Sequence, residues 1–444
     1  MTAGVGAGRC REAEQVGRCE VVPPERFDAC APRADPVPVV VATLMRPTGS
    51  SGVQTHVEEL SRYLRAQRLP VEVVTPFSWG NALRSGLFGL RRLVDPISGA
   101  AGVRWYVHFH RLYLERALRY RLAGTGRAVV YCQCPVSALA ALAARRACTQ
   151  KVVLAVHFCA SQADEWVVKG RIPRDGITFR AIRRAEAEAL ARVDGVVFVS
   201  EAARSALWTA PPSEVPTVTL TNFVAAPDRE RPTERRADLL TVGALEPHKN
   251  HAFALEVLVA ARRRGHRLTL DIVGEGPDRS ALARRARSMG LESDVRFLGH
   301  VPAVRQTLAG YRAYVHCATR EACPLAVIEA MAAGVPVVAA PVGGVRELFT
   351  NGVEGRFWPL DDADRAAEVL VGVLRDDAVR ARMGAAGSAR FRRSLDAAVV
   401  CPSLLAFFER DVLGSACRSP AGAQAGSDPA EARPTLARSA VHPG

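Results

Sequence analysis

The sequence lacks three features that would each point to a specific class of protein. It has no apolar run of roughly 18 residues, so no membrane-spanning helix is predicted, and its first residues lack the apolar core of a signal peptide. None of its eleven cysteines forms a Cys-x-x-Cys pair, which excludes the usual zinc-ligand spacing. We therefore expect a cytoplasmic protein whose cysteines are free thiols.

Lysine is also scarce, although the chain is strongly basic. The formal net charge is +14, and arginine supplies nearly all of the positive charge. A basic balance favours an anionic partner, whether a nucleic acid, a membrane surface or a phosphate-bearing substrate. Because an ammonium and a guanidinium differ in chemistry, each of the few lysines is a candidate for a specific role. They are Lys151, Lys169 and Lys249.

The length of 444 residues suits two domains of ordinary size. Hydrophobic residues make up 48% of the chain and charged residues 23%, as in globular proteins. Residues 1–36 and 415–444 are rich in small, polar and proline residues without periodicity, so we expect both to be disordered tails.

Between the tails, short runs of valine, isoleucine and leucine alternate with amphipathic helical segments. Such runs indicate parallel strands that are buried on both faces. The first set of predicted strands covers residues 39–44, 71–75, 128–131, 151–156, 195–199 and 217–220. The second set covers residues 239–242, 268–273, 295–298, 313–317 and 335–339.

A polar, proline-containing stretch at residues 225–236 separates the two sets and is predicted to be a linker. We expect an α/β protein with two Rossmann-like domains, residues 37–224 and 237–395. Residues 396–414 are predicted as a C-terminal helix that packs back toward the first domain. Because ligands bind beyond the carboxyl ends of parallel strands, the two sheets should face a common cleft.

Two glutamates follow one of the predicted strands of the second set. Glu321 lies on the loop after the strand, and Glu329 lies in the second turn of a helix that we expect to start at Pro324, with Leu325 on the same face. Unpaired N–H groups at a helix start attract anions, and the carboxylates could accept hydrogen bonds from sugar or ribose hydroxyls. Taken alone, each glutamate is more commonly a helix cap or a solvated residue.

The pattern Glu-x7-Glu followed by Ala-Met-Ala-x-Gly-x-Pro-Val-Val resembles the signature of the retaining glycosyltransferase family 4, which has the GT-B fold. The resemblance extends over roughly residues 40–395 and is most specific in the second half. It implies that Glu321 contacts a donor sugar, that Glu329 contacts the nucleotide ribose, and that Pro324 and Leu325 border the donor site. GT-B enzymes generally work without a bound metal, so no metal or other cofactor is expected.

A second loop of the same half, after the strand at residues 239–242, contains Gly243 and Lys249. It resembles the family loop whose lysine binds the donor diphosphate, where an ammonium would stabilise the charge that grows on the leaving group. Many family members have arginine at the position of Ala244, so one expected cation is missing. Arg320 and Arg346 are candidates to replace it.

Two segments of the first half also resemble the family. Gly52, in a Gly/Ser-rich turn before the first helix, matches a loop that approaches the donor phosphates, although Ser51 replaces one of the family's two glycines. His157 follows a strand, as does the family histidine near the transferred sugar. The ordinary alternatives are a simple turn and a histidine that is hydrogen-bonded to the backbone.

Other motifs are weaker. Gly274 and Gly276 lack the third glycine of a dinucleotide fingerprint, which disfavours an NAD site. Asp362 and Asp364 have the spacing of a metal-binding Asp-x-Asp, but a helix cap is the better interpretation. The arginines are spread along helices and form no recognisable nucleic-acid-binding module, so nucleic acid is not an expected partner.

Residues 104–121 mix aromatic residues, leucine and arginine. Such a stretch could lie on an anionic bilayer, on the inner face of the membrane, which would suit a lipid-linked acceptor. The alternative is an ordinary helix whose arginine stems cover apolar surface.

Together these patterns predict a retaining glycosyltransferase that moves a sugar from a nucleotide-sugar donor to an acceptor, such as a polysaccharide or glycolipid precursor at the cell surface. Two alternatives stay open. One is a nucleotide-sugar epimerase of the same fold, and the other is a catalytically silent GT-B protein that binds a partner or glycan.

Overall fold

The computed structural model describes residues 37–46, 49, 51–78, 98–227, 236–302 and 304–415. Both predicted tails, apart from Ser415, and most of the predicted linker lie outside the described residues.

The N-terminal half contains a sheet of six parallel strands, in the order β2-β1-β3-β4-β5-β6. The strands are β1 Val39–Ala42, β2 Val71–Val74, β3 Ala128–Cys132, β4 Gln150–Val156, β5 Gly195–Phe198 and β6 Thr217–Thr219. All six were predicted, with ends that differ by one or two residues.

The C-terminal half contains a second sheet of six parallel strands, in the order β12-β11-β10-β7-β8-β9. The strands are β7 Leu239–Val242, β8 Leu270–Val273, β9 Val295–Gly299, β10 Ala313–His316, β11 Val337–Ala339 and β12 Gly355–Phe357. The sequence did not predict β12, because three residues with a central exposed arginine carry no apolar run. The expected pair of Rossmann-like sheets is confirmed.

Helices connect the strands of each sheet. In the N-terminal half, the described helices are α1 Gly52–Ala66, α2 Gly99–Leu122, α3 Pro135–Ala144, α4 Gln162–Val168, α5 Ile177–Arg192 and α6 Glu201–Ser205. The rest of the described chain has α7 His251–Arg263, α8 Arg279–Ser288, α9 Leu325–Ala332, α10 Val345–Leu348, α11 Ala363–Leu374, α12 Asp377–Ser394 and α13 Ala397–Phe407. Short 3₁₀ helices lie at Pro247–Lys249 and Val304–Gly310, and a π-helical turn at Phe408–Val412.

Each face of the N-terminal sheet has its own apolar core, as predicted for buried parallel strands. Val40 and Ala42 of β1 pack in one cluster with residues of α2 and α3, whereas Val39 and Val41 pack in another with residues of α1 and α13. The last helix thus packs against the first sheet. Ala397 N also donates a hydrogen bond to Val224 O at 3.0 Å.

No helix in the described part of the chain combines the length and apolar character needed to cross a membrane. Six described cysteines are free thiols, but Cys148 forms a disulfide, so the expectation of free thiols throughout is wrong. Cys148 lies on an exposed loop between α3 and β4, where a thiol is accessible for pairing.

Candidate active site

The carboxyl ends of β7 and β10 bring together a lysine and a glutamate that are distant in sequence. The two strands are neighbours where the strand order of the C-terminal sheet reverses, which is where open parallel sheets bind ligands. Lys249 Nζ lies 2.5 Å from Glu321 Oε1. Nε2 of His316, the last residue of β10, lies 3.1 Å from the same oxygen. These three side chains therefore form one cluster.

Glu321 stays ionised despite its burial. Burial by itself would raise the carboxyl pKa, but Lys249 and His316 outweigh it and lower the pKa of Glu321 to about 2. Burial likewise opposes the charge of Lys249, yet Glu321 raises the pKa of this ammonium above its usual value. At neutral pH the site therefore holds an ion pair at the carboxyl ends of the central strands β7 and β10.

Glycine backbone supports both loops of the cluster. Gly343, at φ +45°, passes so close to the Glu321 carbonyl that a Cβ there would lie 2.0 Å from the oxygen. A Cβ on Gly274, at φ +142°, would lie 1.9 Å from the Gly243 carbonyl oxygen. Any side chain at either position would displace the loop beneath it, which explains the glycines that the sequence presents here.

Helix α9 begins close to this loop and has no side-chain cap among the described residues. Pro324 is the N-cap, with extended backbone at ψ 116°, and the helix starts at Leu325, so the prediction of Pro324 as the first helical residue is wrong by one position. The uncapped start leaves backbone N–H groups available to an anionic ligand.

Glu329 lies in the second turn of α9 and is partly buried. Burial raises the pKa of Glu329 to about 7, and the charges of Arg305 and Glu59 act in opposite directions on it. The carboxyl is therefore a titratable group near neutral pH. It is not a freely solvated helix residue.

Glu59 joins the two halves of the chain beside Glu329. It is 4% exposed on α1 and accepts hydrogen bonds from Arg62 Nη1 at 2.6 Å, Arg305 Nη1 at 3.1 Å and Ala225 N at 2.8 Å. Arg305 belongs to the C-terminal half and Ala225 to the start of the connection between the halves. One buried carboxylate on the first helix thus accepts hydrogen bonds from that helix, from the connection and from the C-terminal half.

His157 follows β4 and is held by a residue of the neighbouring strand end. Its Nε2 lies 2.9 Å from Gln133 Oε1, while Gln133 Nε2 donates to the Tyr131 carbonyl. That amide orientation requires His157 to donate from Nε2, which leaves Nδ1 as an acceptor. Burial and the nearby ring of His56, 4.8 Å away between centroids, lower the pKa of His157 well below its usual value. The ring is therefore neutral at physiological pH.

Residues of the N-terminal half bind the Glu321 loop directly. Ser200 Oγ donates to the Ala322 carbonyl at 2.7 Å, and Asn222 Nδ2 donates to the Cys323 carbonyl at 2.8 Å. Gly52, at the start of α1, is exposed, and a Cβ there would lie 3.8 Å from Leu325 Cδ1. Gly52 of the N-terminal half therefore lies close to Leu325 at the start of α9. The neighbouring Pro47, Thr48 and Ser50 lie outside the described residues.

The two candidate replacements for the missing arginine differ in position. Arg320 donates to the Cys159 carbonyl at 3.3 Å. Burial raises the pKa of Glu165, and the charges of Arg320 and Lys249 both oppose that rise, so both cations act on the same carboxyl. Arg346 is exposed and donates to the Pro341 carbonyl. Arg320 is thus close to the ion pair, whereas the structure gives Arg346 no contact with it. Ala244 is exposed.

Asp362 caps a helix, as the sequence indicated. Its carboxylate accepts from Arg365 N at 2.9 Å at the start of α11, and Asp364 pairs with Arg263 and Arg264. No group of three or more potential metal ligands occurs within the described ranges.

Residues 104–121 lie within α2, one face of which packs in the core through Leu114, Leu118 and neighbours. Arg116, Arg119 and Tyr120 are exposed, and Tyr120 has 74% of its surface accessible. The helix therefore has a buried stripe and a basic outer face.

Sequence reasoning missed several of these groups. His316 reads as the end of a strand, and only its position next to the Glu321 loop could have marked it. Gln133 follows a buried strand beside the one that precedes His157, which was a usable signal once the strand order was known. Glu59 and Arg305 carry no motif, and their pairing depends on how the halves meet.

Two family models match the chain. "Glycosyltransferase Family 4" matches residues 50–226, and "Glycosyl transferases group 1" matches residues 225–390. A phosphatidyl-myo-inositol mannosyltransferase from Mycolicibacterium smegmatis is 30% identical over 368 residues, which covers 81% of this chain and 90% of that protein. A glycogen synthase from Mycobacterium tuberculosis is 33% identical over 168 residues, or 37% of this chain and 41% of that one.

Solved structures resemble the whole architecture. Sucrose-phosphate synthase from Thermosynechococcus elongatus has a TM-score of 0.63 at 16% identity, covering 85% of this chain and 100% of that one. Anabaena HepE in complex with UDP-glucose has a TM-score of 0.61 at 17% identity, covering 84% and 99%. At such identities the likeness concerns the fold.

Proposed function

The chain belongs to glycosyltransferase family 4, and from that premise we propose that it is a retaining enzyme that transfers a hexose from a nucleotide-sugar donor. The observation that carries the proposal is the Lys249–Glu321 ion pair at the switch point of the C-terminal sheet, beside the uncapped start of α9. This arrangement offers a cation and free N–H groups to a diphosphate, and a carboxylate to sugar hydroxyls.

In this proposal the donor lies on the C-terminal half. Lys249 and the N–H groups near Leu325 hold the diphosphate, Gly243 leaves room for its close approach, and Glu329 accepts hydrogen bonds from the ribose. Glu321 binds the sugar, with Pro324 at the border of the site. The approach of Gly52 to Leu325 supports a further contact between the N-terminal half and the donor phosphates.

The transfer step needs no protein nucleophile. The bond between the anomeric carbon and the diphosphate oxygen breaks, and the acceptor oxygen bonds to the same face of the sugar. The acceptor proton passes to the leaving diphosphate oxygen. Lys249 stabilises the charge on that leaving group without a metal ion, and neutral His157 offers its Nδ1 lone pair to a sugar hydroxyl.

The acceptor enters against the N-terminal half and is a lipid-linked or polysaccharide precursor. The names of the mycobacterial mannosyltransferase and glycogen synthase relatives support these two classes. The basic outer face of α2 supports association with an anionic membrane surface at the cytoplasmic side.

A silent binding protein is the second candidate. Ala244 and Ser51, which stand where many family members have arginine and glycine, favour it, although the nearby Arg320 offers a compensating cation.

The test uses radiolabelled GDP-mannose and UDP-glucose, each incubated with the protein and extracted bacterial membranes as the acceptor source. Label that moves to the membrane fraction, and is lost in Glu321→Gln but kept in the exposed Glu292→Gln, is the expected result. Conversion of the donor sugar without membranes would identify an epimerase. Nucleotide binding without any turnover would identify a silent protein.

A further inference from the structure

A cavity of about 480 Å³ runs along one face of α1 in the N-terminal half, and neither Lys249 nor Glu321 is among its described lining residues. Its described lining includes Gln54, Glu58, Ser61, Arg62 and Arg65 of the helix, which recur every three or four residues as one helical stripe. Arg46, from the loop after β1, also lines the cavity. From Gln54 to Arg65 the stripe extends about 16 Å along the helix axis.

The charges around this cavity are unbalanced. Arg62 is already paired, because its Nη1 lies 2.6 Å from the buried Glu59 carboxylate. Arg46 and Arg65 are exposed, and within the described residues neither forms an ion pair. Glu58 is the one carboxylate in the described lining. The described lining therefore offers two guanidinium groups that have no ion-pair partner among the described residues, against one carboxylate, which favours an anionic occupant.

Ser61 also lines the cavity, but its hydroxyl oxygen is buried and has no hydrogen-bond partner among the described residues. A ligand in the cavity would contact this oxygen only after the side chain rotates. The attraction of the cavity for an anion therefore depends on Arg46 and Arg65.

The position of the cavity connects it to the proposed transfer. Helix α1 starts at Gly52, which meets Leu325 at the start of α9, and the cavity begins within the first turn of the same helix. We propose that this cavity binds the phosphate ester of the acceptor, held by Arg46 and Arg65, while the acceptor hydroxyl reaches the donor near Gly52. This assignment rests on the proposed function and names the class of acceptor that the site accepts.

The test is calorimetric titration of the full-length protein with glycerol 3-phosphate as a soluble phosphate ester. Three proteins are compared: wild type, Arg46→Gln/Arg65→Gln, and Arg382→Gln/Arg392→Gln. The last removes the same charge from two exposed arginines of α12. The cavity double variant should weaken binding by about tenfold or more, and the α12 variant should match the wild type.

Vesicles of phosphatidylcholine containing phosphatidylglycerol then distinguish the two sources of the phosphate. If the vesicles compete with glycerol 3-phosphate for binding to the protein, the cavity accepts a phospholipid headgroup. If they do not compete, the cavity accepts a soluble phosphate ester. No binding by the wild type, or equal losses in both double variants, would overturn the proposal. GDP and UDP titrations of the same proteins should be unchanged by either double variant, so failure of this site is separable from failure of the donor site.

Discussion

Glu321, on a loop, and Glu329, on a helix, are two carboxyl groups of one motif with different surroundings. Glu321 contacts Lys249 and His316 directly, and its pKa falls to about 2. Glu329 has no direct cation partner in the described structure, because Arg305 bonds to Glu59, and its pKa rises to about 7. Two glutamates of one motif therefore carry different charges below neutral pH.

This difference shows that burial does not by itself decide the charge of a site. The outcome depends on whether a cation is within hydrogen-bond distance and whether that cation is shared with another carboxylate. A fixed anion suits a group that holds a sugar beside a lysine. A carboxyl that becomes charged near pH 7 makes the helix site sensitive to pH.

The largest expected effect comes from removing the fixed charge. Glu321→Gln leaves Lys249 without its partner and takes away the carboxylate proposed to bind the sugar. We expect sugar transfer to fall on the order of 100-fold or more. The measurement is the initial rate of label transfer, with Glu292→Gln as a surface control. A rate within a factor of about two of the wild type would contradict the role of Glu321.

Glu329→Gln should change stability in the opposite direction from Glu321→Gln. The folded pKa of Glu329 lies above its ordinary value of 4.5, so the wild type loses stability as pH rises from about 4.5 to 7. Removing the ionisable group should stabilise the protein by about 1–3 kcal/mol at pH 8 and by little near pH 4. Urea unfolding at both pH values measures this.

For Glu321 the sign is reversed. Its folded pKa is lowered, so its contribution to stability is present above about pH 4.5 and is lost as pH falls toward 2. Glu321→Gln should therefore destabilise the protein at pH 8. If both variants shifted the unfolding midpoint in the same direction at pH 8, the contrast between the two carboxyls would be wrong.

Arg305→Gln should sharpen the contrast further. Burial raises the pKa of Glu329, and the charge of Arg305 offsets part of that rise. Arg305 also donates a hydrogen bond to Glu59. Its loss should move the midpoint of any pH-dependent nucleotide binding above 7. Arg392→Gln, an exposed change on α12, is the control and should leave the midpoint in place. A downward shift in Arg305→Gln would contradict the electrostatic assignment.

The smallest expected effect comes from restoring the arginine that many family members have. Ala244 is exposed on the loop that carries Lys249, so a longer side chain has space there. Ala244→Arg should tighten nucleotide binding about fivefold by adding a second cation near the diphosphate. Ala244→Gln, of similar length without charge, is the control. Equal affinities of the two variants would show that Arg320 already supplies the missing charge.

The fold was largely predictable because its signals are local. Buried parallel strands leave continuous apolar runs, and those runs located eleven of the twelve described strands. The exception, β12, is too short for such a run. The start of α9 was predicted one residue early, because proline is compatible with both the N-cap and the first helical position.

The candidate site was predictable only where a motif carries it. Glu321, Glu329 and Lys249 follow from the resemblance, and the strand order then explains why Lys249 and Glu321 meet. The partners that set their pKa values, His316 and Arg305, depend on tertiary contacts that no spacing reveals. The α1 cavity likewise depends on side chains that come together only after the helix packs.

Calorimetric titration with GDP and UDP, at about pH 6 and pH 8, tests the account most directly when wild type is compared with Glu329→Gln. With a pKa of about 7, the ionised fraction of Glu329 rises roughly tenfold over this interval. We predict that one of the two nucleotides binds. Between these pH values its affinity for the wild type should rise about tenfold more than its affinity for Glu329→Gln. Titration of the nucleotide phosphate affects both proteins equally, so it cancels in this comparison. Failure to bind either nucleotide, or identical affinities and pH dependence in both proteins, would contradict a donor site built around this helix.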